Sequence, residues 1–318
     1  MAAQSPRTVV VVAGAVVVRA DPAVIATSSM KDFAGKSVLI TGGSSGIGLA
    51  LAHKLARRQA NICILARDPV KLQSAVREIQ AQFTNDTQNI QGLQSDVSNR
   101  LEVQSTLLHW VNESGVPDLV INSAGIARPG EFEDFSLDHF DQMMAINFMG
   151  TVNVIHAILP AMLQRKSGHI VNISSLVGFL GMYGYTAYAS SKFAIRGFTD
   201  SLRAEVKTQG IDLSIVFPTD TDTPQLAEEN KHKPPILFAL DEAAPPMSAE
   251  AVADSILKGI QRRSYIITPG ISSWLFYNLS NLLGVLTYPI VDWMVADARK
   301  KVERNQARYT HQNKIDPN

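Results

Sequence analysis

Cysteine is almost absent from this 318-residue sequence, which contains one, Cys63. It lies in the apolar run from Ile62 to Leu65, which we interpret as a strand with a core thiol. A single cysteine cannot form a disulfide within its own chain. The sequence is therefore not that of a small secreted scaffold held together by disulfides.

An excess of charge of either sign is also lacking, because 29 Lys and Arg residues balance 29 Asp and Glu residues. Nucleic-acid binding relies on concentrated positive charge, so we expect no nucleic-acid partner. The seven histidines lack the spacing that brings two imidazoles to one metal ion. We therefore expect no metal site.

What the chain does contain, from Ser37 onward, is an alternation of β-branched runs and helical patterns that is typical of βαβ units. Most of the runs are apolar throughout, as in strands that helices cover on both faces. This predicts an α/β fold, a doubly wound parallel sheet of Rossmann-like type in a single domain, followed by a hydrophobic C-terminal segment. The predicted strands are Ser37 to Thr41, Asn61 to Ala66, Ile90 to Ser95, Leu119 to Asn122, His169 to Ser174, Asp212 to Phe217 and Tyr265 to Thr268.

Two helices and one long loop frame this prediction. The helices are Ile47 to Arg58 and Pro69 to Gln82, the second capped by Asp68 and started by Pro69. The segment from Pro218 to Pro246 is predicted to be a loop, placed as a lid over the crevice at the carboxyl ends of the strands.

A glycine-rich turn joins the first strand to the first helix. Gly42 would permit the turn, Gly46 would let the backbone approach a pyrophosphate, and Gly48 would let helix and sheet pack closely. Glycines also punctuate ordinary loops, but this turn stands between a strand and a helix. It predicts a dinucleotide site formed by Gly42, Ser44, Ser45, Gly46, Ile47 and Gly48.

Arg67 follows the second strand, at the position that distinguishes the two nicotinamide cofactors. An acid there binds the ribose diol, whereas a base accommodates a 2′-phosphate, so Arg67 predicts NADPH. The alternative is a solvated charge at a strand end. Further cofactor contacts are predicted for Asp96, Val97, Asn122, Ala124 and Gly125, which follow the third and fourth strands.

Tyr188 and Lys192 lie four residues apart, which places a phenol and an ammonium on one face of a helix. A neighbouring cation favours the phenolate, so we expect the pKa of Tyr188 to be lowered toward neutrality for proton transfer. Ser175, at the end of the fifth strand, could donate a hydrogen bond to the same substrate oxygen. Tyr and Lys at this spacing also occur on many exposed helices.

The order and spacing of these motifs, from about Lys36 to Thr268, resemble the short-chain dehydrogenase/reductase family. The resemblance implies a catalytic tetrad of Asn147, Ser175, Tyr188 and Lys192, in which Lys192 also holds the nicotinamide ribose and Asn147 anchors a water. The sequence departs from the family at Ser123, where a second Asn is usual. A second departure is Thr219, which follows Pro218 where the family usually has Gly. In this segment we expect Pro218 and either Thr221 or Thr223 to contact the cofactor.

Within that family, the stretches Tyr185 to Gly197 and Pro218 to Asn230 resemble the 3-ketodihydrosphingosine reductases. This resemblance implies a long-chain lipid ketone as substrate, with lid acids facing its ammonium. The alternative is that Asp220 and Asp222 cap turns and that Glu228 and Glu229 are solvated. Another lipid, steroid or retinoid substrate, or a regulatory protein without turnover, remains an alternative function.

The two ends of the chain suggest a membrane setting. Trp274 to Val295 is apolar with one charge and aromatic ends, and a basic tail follows at Arg299, Lys300, Lys301, Arg304 and Arg308. This predicts membrane contact through residues 271–308, with the tail in the cytosol. The membrane would be the endoplasmic reticulum or a bacterial inner membrane. The alternative is a packing helix in a cytoplasmic protein. We also expect a homo-oligomer. Residues 1–30, which include the apolar run Val9 to Val18, are predicted to be a leader without ordered structure, or an over-extended start before Met30. Residues 31–270 are predicted to form the dehydrogenase domain.

Overall fold

A computed structural model describes residues 9–12, 15–18, 32–241 and 245–315, and the side chains from 32 onward as far as residue 306. Near the amino terminus, strands β1 (Val9–Val12) and β2 (Ala15–Val18) pair as an antiparallel hairpin. The rest of residues 1–31, and with them most of the predicted leader, lie outside the described residues.

A seven-stranded parallel sheet forms the centre of the fold, as predicted. Every predicted strand is present within one or two residues of its expected ends. In chain order they are β3 (Ser37–Thr41), β4 (Asn61–Ala66), β5 (Ile90–Gln94), β6 (Leu119–Asn122), β7 (Gly168–Ile173), β8 (Ile211–Val216) and β11 (Ile266–Ile267). Their spatial order is β11-β8-β7-β6-β3-β4-β5, so the connections reverse direction at β3.

Helices cover both faces of the sheet. One face packs against α1 (Gly46–Ala56), α2 (Pro69–Gln80) and α9 (Ala249–Gln261). The other packs against α3 (Arg100–Ser114), α5 (Gly150–Arg165) and α6 (Thr186–Val206), with α4 (Leu137–Met143) leading into α5. The strands are therefore buried on both sides, which explains their unbroken apolar runs.

The predicted N-terminal signal of α2 is confirmed. The Asp68 side chain accepts hydrogen bonds from the backbone N–H groups of Val70 at 2.9 Å and Lys71 at 3.1 Å, and Pro69 is the first helical residue. Both α1 and α2 end two residues earlier than predicted, because the residues that follow leave the helix in turn conformations.

The segment from Pro218 to Pro246, predicted to be a loop, is largely regular structure, so that prediction is wrong. It contains β9 (Thr221–Asp222), α7 (Pro224–Glu229) and α8 (Pro235–Asp241), and β9 pairs in parallel with β10 (Met247–Ser248). Thr223 caps α7 by accepting from Leu226 N at 3.3 Å, and a proline starts each helix. We call residues 218–241 the lid.

The hydrophobic C-terminal segment forms two helices, α10 (Gly270–Leu283) and α11 (Thr287–Ile315), joined by a short turn at Gly284 with φ +53°. By length and composition alone, two stretches of the described residues could cross a membrane, Leu137–Arg165 and Gly270–Gln306. Half of the most apolar part of the first is buried inside the protein, against 6% of the second. Only the C-terminal stretch therefore offers its apolar residues to the surroundings.

Candidate active site

The site lies at the carboxyl end of the sheet, where β3 separates β4 on one side from β6 on the other. Loops that leave neighbouring strands in opposite directions open a crevice at such a point. The Thr41 hydroxyl, at the end of β3, accepts hydrogen bonds from Ser123 N and Ala124 N, both at 3.1 Å. The segment after β6 is thereby held against the glycine-rich turn.

The glycine-rich turn has the shape that its sequence predicts. Gly42 has φ +67° and lies so close to Ala124 that a Cβ on Gly42 would be 2.8 Å from Ala124 Cα. A Cβ on Gly48 would be 2.4 Å from the Gly42 carbonyl oxygen, so only glycine lets α1 pack this closely on β3. Gly46 also has positive φ, +53°.

The first turn of α1 is available to an anion. Ser45, which precedes α1, makes no side-chain capping hydrogen bond, and the helix has no acidic residue in its first turn. Ser44 and Ile47 line the same turn and are partly buried. Uncapped N–H groups and the positive end of a helix bind phosphate, so the turn fits the pyrophosphate of a nicotinamide dinucleotide.

Arg67 and Asp96, which the sequence presents as separate contacts, lie beside each other. Arg67 Nη1 is 3.8 Å from Asp96 Oδ2, and the Arg67 side chain is 67% exposed. Asp96 Oδ1 also accepts from Ser98 N at 2.9 Å and Ser98 Oγ at 2.7 Å. Next to it, Val97 is buried. An exposed guanidinium with a long, weak ion pair is free to turn toward a phosphate.

Asn122 connects β6 to its neighbours rather than lying open at the crevice. Its Nδ2 donates to Asn172 Oδ1 at 2.9 Å, and Asn172 Nδ2 donates to Thr199 Oγ1 at 2.8 Å. Asn122 is buried, and its Oδ1 has no hydrogen-bond partner among the described residues. In this segment, Ala124 and Gly125 are the predicted cofactor contacts that face the turn and the catalytic side chains.

Asn147 is fully buried in a π-helical turn, Met144–Met149, between α4 and α5. Its Oδ1 accepts from Ile126 N at 2.8 Å, and its Nδ2 donates to Ile126 O and Ser191 Oγ, both at 2.9 Å. Protein groups thus engage the whole side-chain amide, which fixes the β6 loop against α6. The main-chain carbonyl of Asn147 accepts from Thr151 Oγ1 at 2.9 Å and keeps a second lone pair; a water anchored by Asn147 stays a prediction.

Lys192 extends from α6 into the interior, where its side-chain nitrogen donates to the Ile173 carbonyl at 3.1 Å. The same nitrogen lies 5.5 Å from the centre of the Tyr188 ring. Gly125 lies beside this nitrogen, since a Cβ on Gly125 would be 3.5 Å from it, in ordinary van der Waals contact. Burial lowers the pKa of Lys192 to about 8, and the negative charge of Glu229 acts in the opposite direction.

Tyr188 stands between β7 and the lid. Ser175 and Gln225 of α7 lie close enough to its hydroxyl to lower its pKa by side-chain hydrogen bonding. Burial raises the pKa of Tyr188, Glu229 raises it further, and the two hydrogen bonds act against both. The pKa of Tyr188 is therefore not lowered toward neutrality as predicted, because burial and the charge of Glu229 outweigh the side-chain hydrogen bonds.

A cluster of lid side chains that was not predicted from the sequence meets Tyr188. Glu229 is 7% exposed; its Oε2 accepts from the Tyr185 hydroxyl at 3.1 Å and its Oε1 accepts from Gln225 Nε2 at 2.9 Å. The rings of Tyr185 and Tyr188 lie 5.7 Å apart. Helical spacing is the sequence signal that could have revealed this cluster. Tyr185 precedes Tyr188 by about one helical turn, and Gln225 precedes Glu229 by about one turn.

Of the lid residues predicted to reach the cofactor, Thr223 lies at the glycine-rich turn, whereas Pro218 and Thr221 form hydrogen bonds with other residues of the chain. Pro218 O accepts from Leu176 N at 2.9 Å, which joins the end of β8 to the residue after Ser175. Thr221 is buried, and its hydroxyl donates to Thr219 O at 3.0 Å. Thr223 instead lies against the glycine-rich turn, where a Cβ on Gly46 would be 3.2 Å from Thr223 Cγ2.

The sequence is similar to those of known reductases. The family described as short chain dehydrogenase matches residues 36–234. A mouse 3-ketodihydrosphingosine reductase is 36% identical over 247 residues, 77% of this chain and 74% of the relative. A zebrafish (Danio rerio) 3-dehydrosphinganine reductase is 38% identical over 225 residues, 70% of this chain and 68% of the relative.

Solved structures show the same fold. A short-chain dehydrogenase from Sphingobium yanoikuyae in complex with NADPH is 25% identical, with a TM-score of 0.68 over 81% of this chain and 96% of its own. A short chain dehydrogenase/reductase from Burkholderia phymatum in complex with NAD is 24% identical, with a TM-score of 0.70 over 80% of this chain and 96% of its own. The chain belongs to the short-chain dehydrogenase/reductase family.

Proposed function

We propose that the protein reduces the 3-keto group of 3-ketodihydrosphingosine to a hydroxyl group, giving dihydrosphingosine in sphingolipid synthesis, with NADPH as reductant. The observation that carries this proposal is the lid, which places Gln225 and Glu229 on the Tyr188 side of the site. The lid contains the stretch Pro218 to Asn230 that resembles these reductases, and relatives that bear this name match most of the chain.

Cofactor binding is assigned to the carboxyl end of β3, β4 and β6. The turn from Gly42 to Gly48 would hold the pyrophosphate, Arg67 would hold the 2′-phosphate, and Lys192 would hold the nicotinamide ribose. When bound, the dihydronicotinamide supplies the hydride for the carbonyl carbon. All other steps belong to side chains of this protein.

Proton transfer is assigned to Tyr188. Its raised pKa keeps the hydroxyl protonated near neutral pH, which is the form needed to give a proton to the carbonyl oxygen during reduction. Ser175 hydrogen-bonds the same oxygen and stabilises the negative charge that develops on it. As the O–H bond of Tyr188 breaks, the ammonium of Lys192 lies 5.5 Å from the ring centre and stabilises the phenolate.

The surroundings of the site suit a substrate with a long apolar chain. Leu237 of α8 is fully buried in an apolar cluster with Val177, Tyr185 and Ala189, and Tyr188 packs against that cluster. On its other side α8 contacts α11. The lid thus contacts both the apolar cluster beside the catalytic tyrosine and the C-terminal helix α11.

The inner face of α10 is anchored to the domain while its outer face is exposed. Tyr277 stacks on Phe217 with ring centres 5.5 Å apart, and the Ser273 hydroxyl donates to Phe217 O. We call the exposed apolar residues of α10 and the start of α11 the C-terminal apolar surface. They are Ile271, Trp274, Leu275, Phe276, Leu279, Leu282, Val285, Leu286, Tyr288, Ile290 and Trp293.

We assign the C-terminal apolar surface to contact with a membrane, from which the enzyme would collect its substrate. A contiguous exposed patch of this kind marks an interaction surface, and its Trp and Tyr residues suit the headgroup region. The basic residues of α11, including exposed Arg299 and Lys300, would then face the cytosol. The membrane would be the endoplasmic reticulum in a eukaryote and the inner membrane in a bacterium. Assembly into a homo-oligomer stays a prediction.

Substrate and reaction are tested together by NADPH oxidation with 3-ketodihydrosphingosine, a short ketone and a steroid ketone. We expect the long-chain base to be reduced with the highest kcat/KM. Tyr188→Phe should lower kcat about 100- to 10,000-fold while leaving NADPH binding intact, because it removes only the proton donor. Preferential turnover of the steroid ketone would support the alternative function, a reductase of other lipids, steroids or retinoids, and would contradict this one.

Cofactor preference is tested with Arg67→Ala. Loss of a charge-assisted bond to the 2′-phosphate should lower kcat/KM for NADPH about tenfold or more and leave kcat/KM for NADH unchanged. Arg77→Ala, which removes an exposed arginine in the last turn of α2, is the matched control and should behave as wild type. Equal efficiency of wild type with NADH and NADPH would contradict the role of Arg67.

Burial of Lys192 is tested by the pH dependence of stability. Its pKa is lowered from 10.5 in the unfolded chain to about 8, so its buried charge destabilises the folded protein fully below about pH 8. That penalty disappears as the pH rises to 10.5, because the folded state releases the proton first. The unfolding free energy of wild type should therefore rise relative to Lys192→Met over this range in urea titrations, and a difference that is independent of pH would refute the assignment.

Membrane contact is tested by co-sedimentation with phospholipid vesicles. Replacing Leu282, Val285 and Leu286 together by Ser should lower vesicle partition at least about tenfold, since each exposed side chain buries apolar area in the bilayer. A variant with Val70→Ser and Leu101→Ser is the control, because these exposed residues lie on α2 and α3 of the domain. Unchanged partition of the triple variant, or wild type that stays in solution, would contradict the proposal.

A further inference from the structure

We infer that Glu229 is the specificity-determining residue of this site, and that its carboxylate binds the ammonium group of an amino ketone while Tyr188 and Ser175 bind the neighbouring carbonyl oxygen. The inference rests on the proposed function and deepens it, because it assigns one side chain to the group that distinguishes the long-chain base from other ketones.

Glu229 differs from the other acids of the lid. Lys233 Nζ lies 3.3 Å from Asp220 Oδ2 and 2.7 Å from Asp241 Oδ2. Glu228 has a side chain that is 59% exposed and lies 2.5 Å from Lys231 Nζ. Asp222 is exposed to solvent. Within the described part of the chain, Glu229 alone among these acids is buried and forms no ion pair.

A buried carboxylate is stable only when it is paired or well hydrogen-bonded, and removal of a partner from a buried charge is strongly unfavourable. Glu229 has two neutral donors, the Tyr185 hydroxyl and the Gln225 amide, and burial raises its pKa. An ammonium group, with three N–H donors and a positive charge, would supply the missing countercharge.

In a 2-amino-3-keto compound the amine is on the carbon next to the carbonyl, so the site must bind both groups within a few bond lengths. Gln225 Nε2 donates to Glu229 Oε1 at 2.9 Å, and the same side chain lies near enough to the Tyr188 hydroxyl to lower its pKa, which places the carboxylate one side chain away from the proton donor. The Tyr185 hydroxyl, which donates to Glu229 Oε2 at 3.1 Å, belongs to a ring whose centre lies 5.7 Å from that of Tyr188.

The test compares Glu229→Gln with wild type on two ketones, 3-ketodihydrosphingosine and the analogue of equal chain length that lacks the amino group. Wild type should prefer the amino ketone by roughly 10- to 100-fold in kcat/KM, the range for a hydrogen bond to a charged group. Glu229→Gln, which keeps the size and an acceptor for Tyr185, should lose that preference, with kcat/KM falling at least about tenfold more for the amino ketone than for the deaminated analogue.

Glu228→Gln is the matched control, because it removes a neighbouring carboxylate that faces solvent, and it should keep the wild-type preference. An equal loss on both ketones would show that Glu229 only supports the lid through Tyr185, and would overturn the inference while leaving the proposed function standing. Wild type that reduces the deaminated ketone but not the amino ketone would overturn both. The wild-type ratio alone also decides the matter if the variant does not fold, since a ratio near one refutes an ammonium site.

Discussion

Strand β3 and its two parallel neighbours impose the constraint on which the rest of the site depends. Thr41 is in register with Leu65 of β4 and Asn122 of β6, so three strands end at the same level. The Thr41 hydroxyl then holds the backbone after β6 at 3.1 Å, and the glycine-rich turn has no side chains to keep that backbone away. The close approach of the glycine-rich turn to the segment after β6 follows from this arrangement.

The sheet could be predicted from sequence because burial on both faces produces unbroken apolar runs, and β3, β4 and β6 have the predicted ends. The lid could not, since α7 has six residues and α8 has seven. Helices this short have almost no amphipathic period, and their polar, proline-rich sequence is also that of a loop.

The side chains of the site could be listed from sequence, but their electrostatic states could not. Glu228 and Glu229 are adjacent and chemically identical, yet one is solvated and the other buried, because α7 turns one toward Lys231 and the other toward Tyr185. The pKa of Tyr188 is raised, not lowered as predicted, because its burial depends on packing that the local sequence does not reveal. A four-residue spacing places Lys192 on the same face of α6 but does not say that the Ile173 carbonyl will bind its ammonium.

Two buried charges of opposite sign act on one tyrosine. Lys192 lies over the ring, where in the proposed mechanism it would stabilise the phenolate, whereas Glu229 raises the pKa of Tyr188 and so retains its proton. A substrate ammonium bound at Glu229 would offset that negative charge, and the pKa of Tyr188 would fall when the amino ketone is in place. Recognition of the substrate and release of the proton would then be coupled through a single carboxylate, with no movement of the backbone.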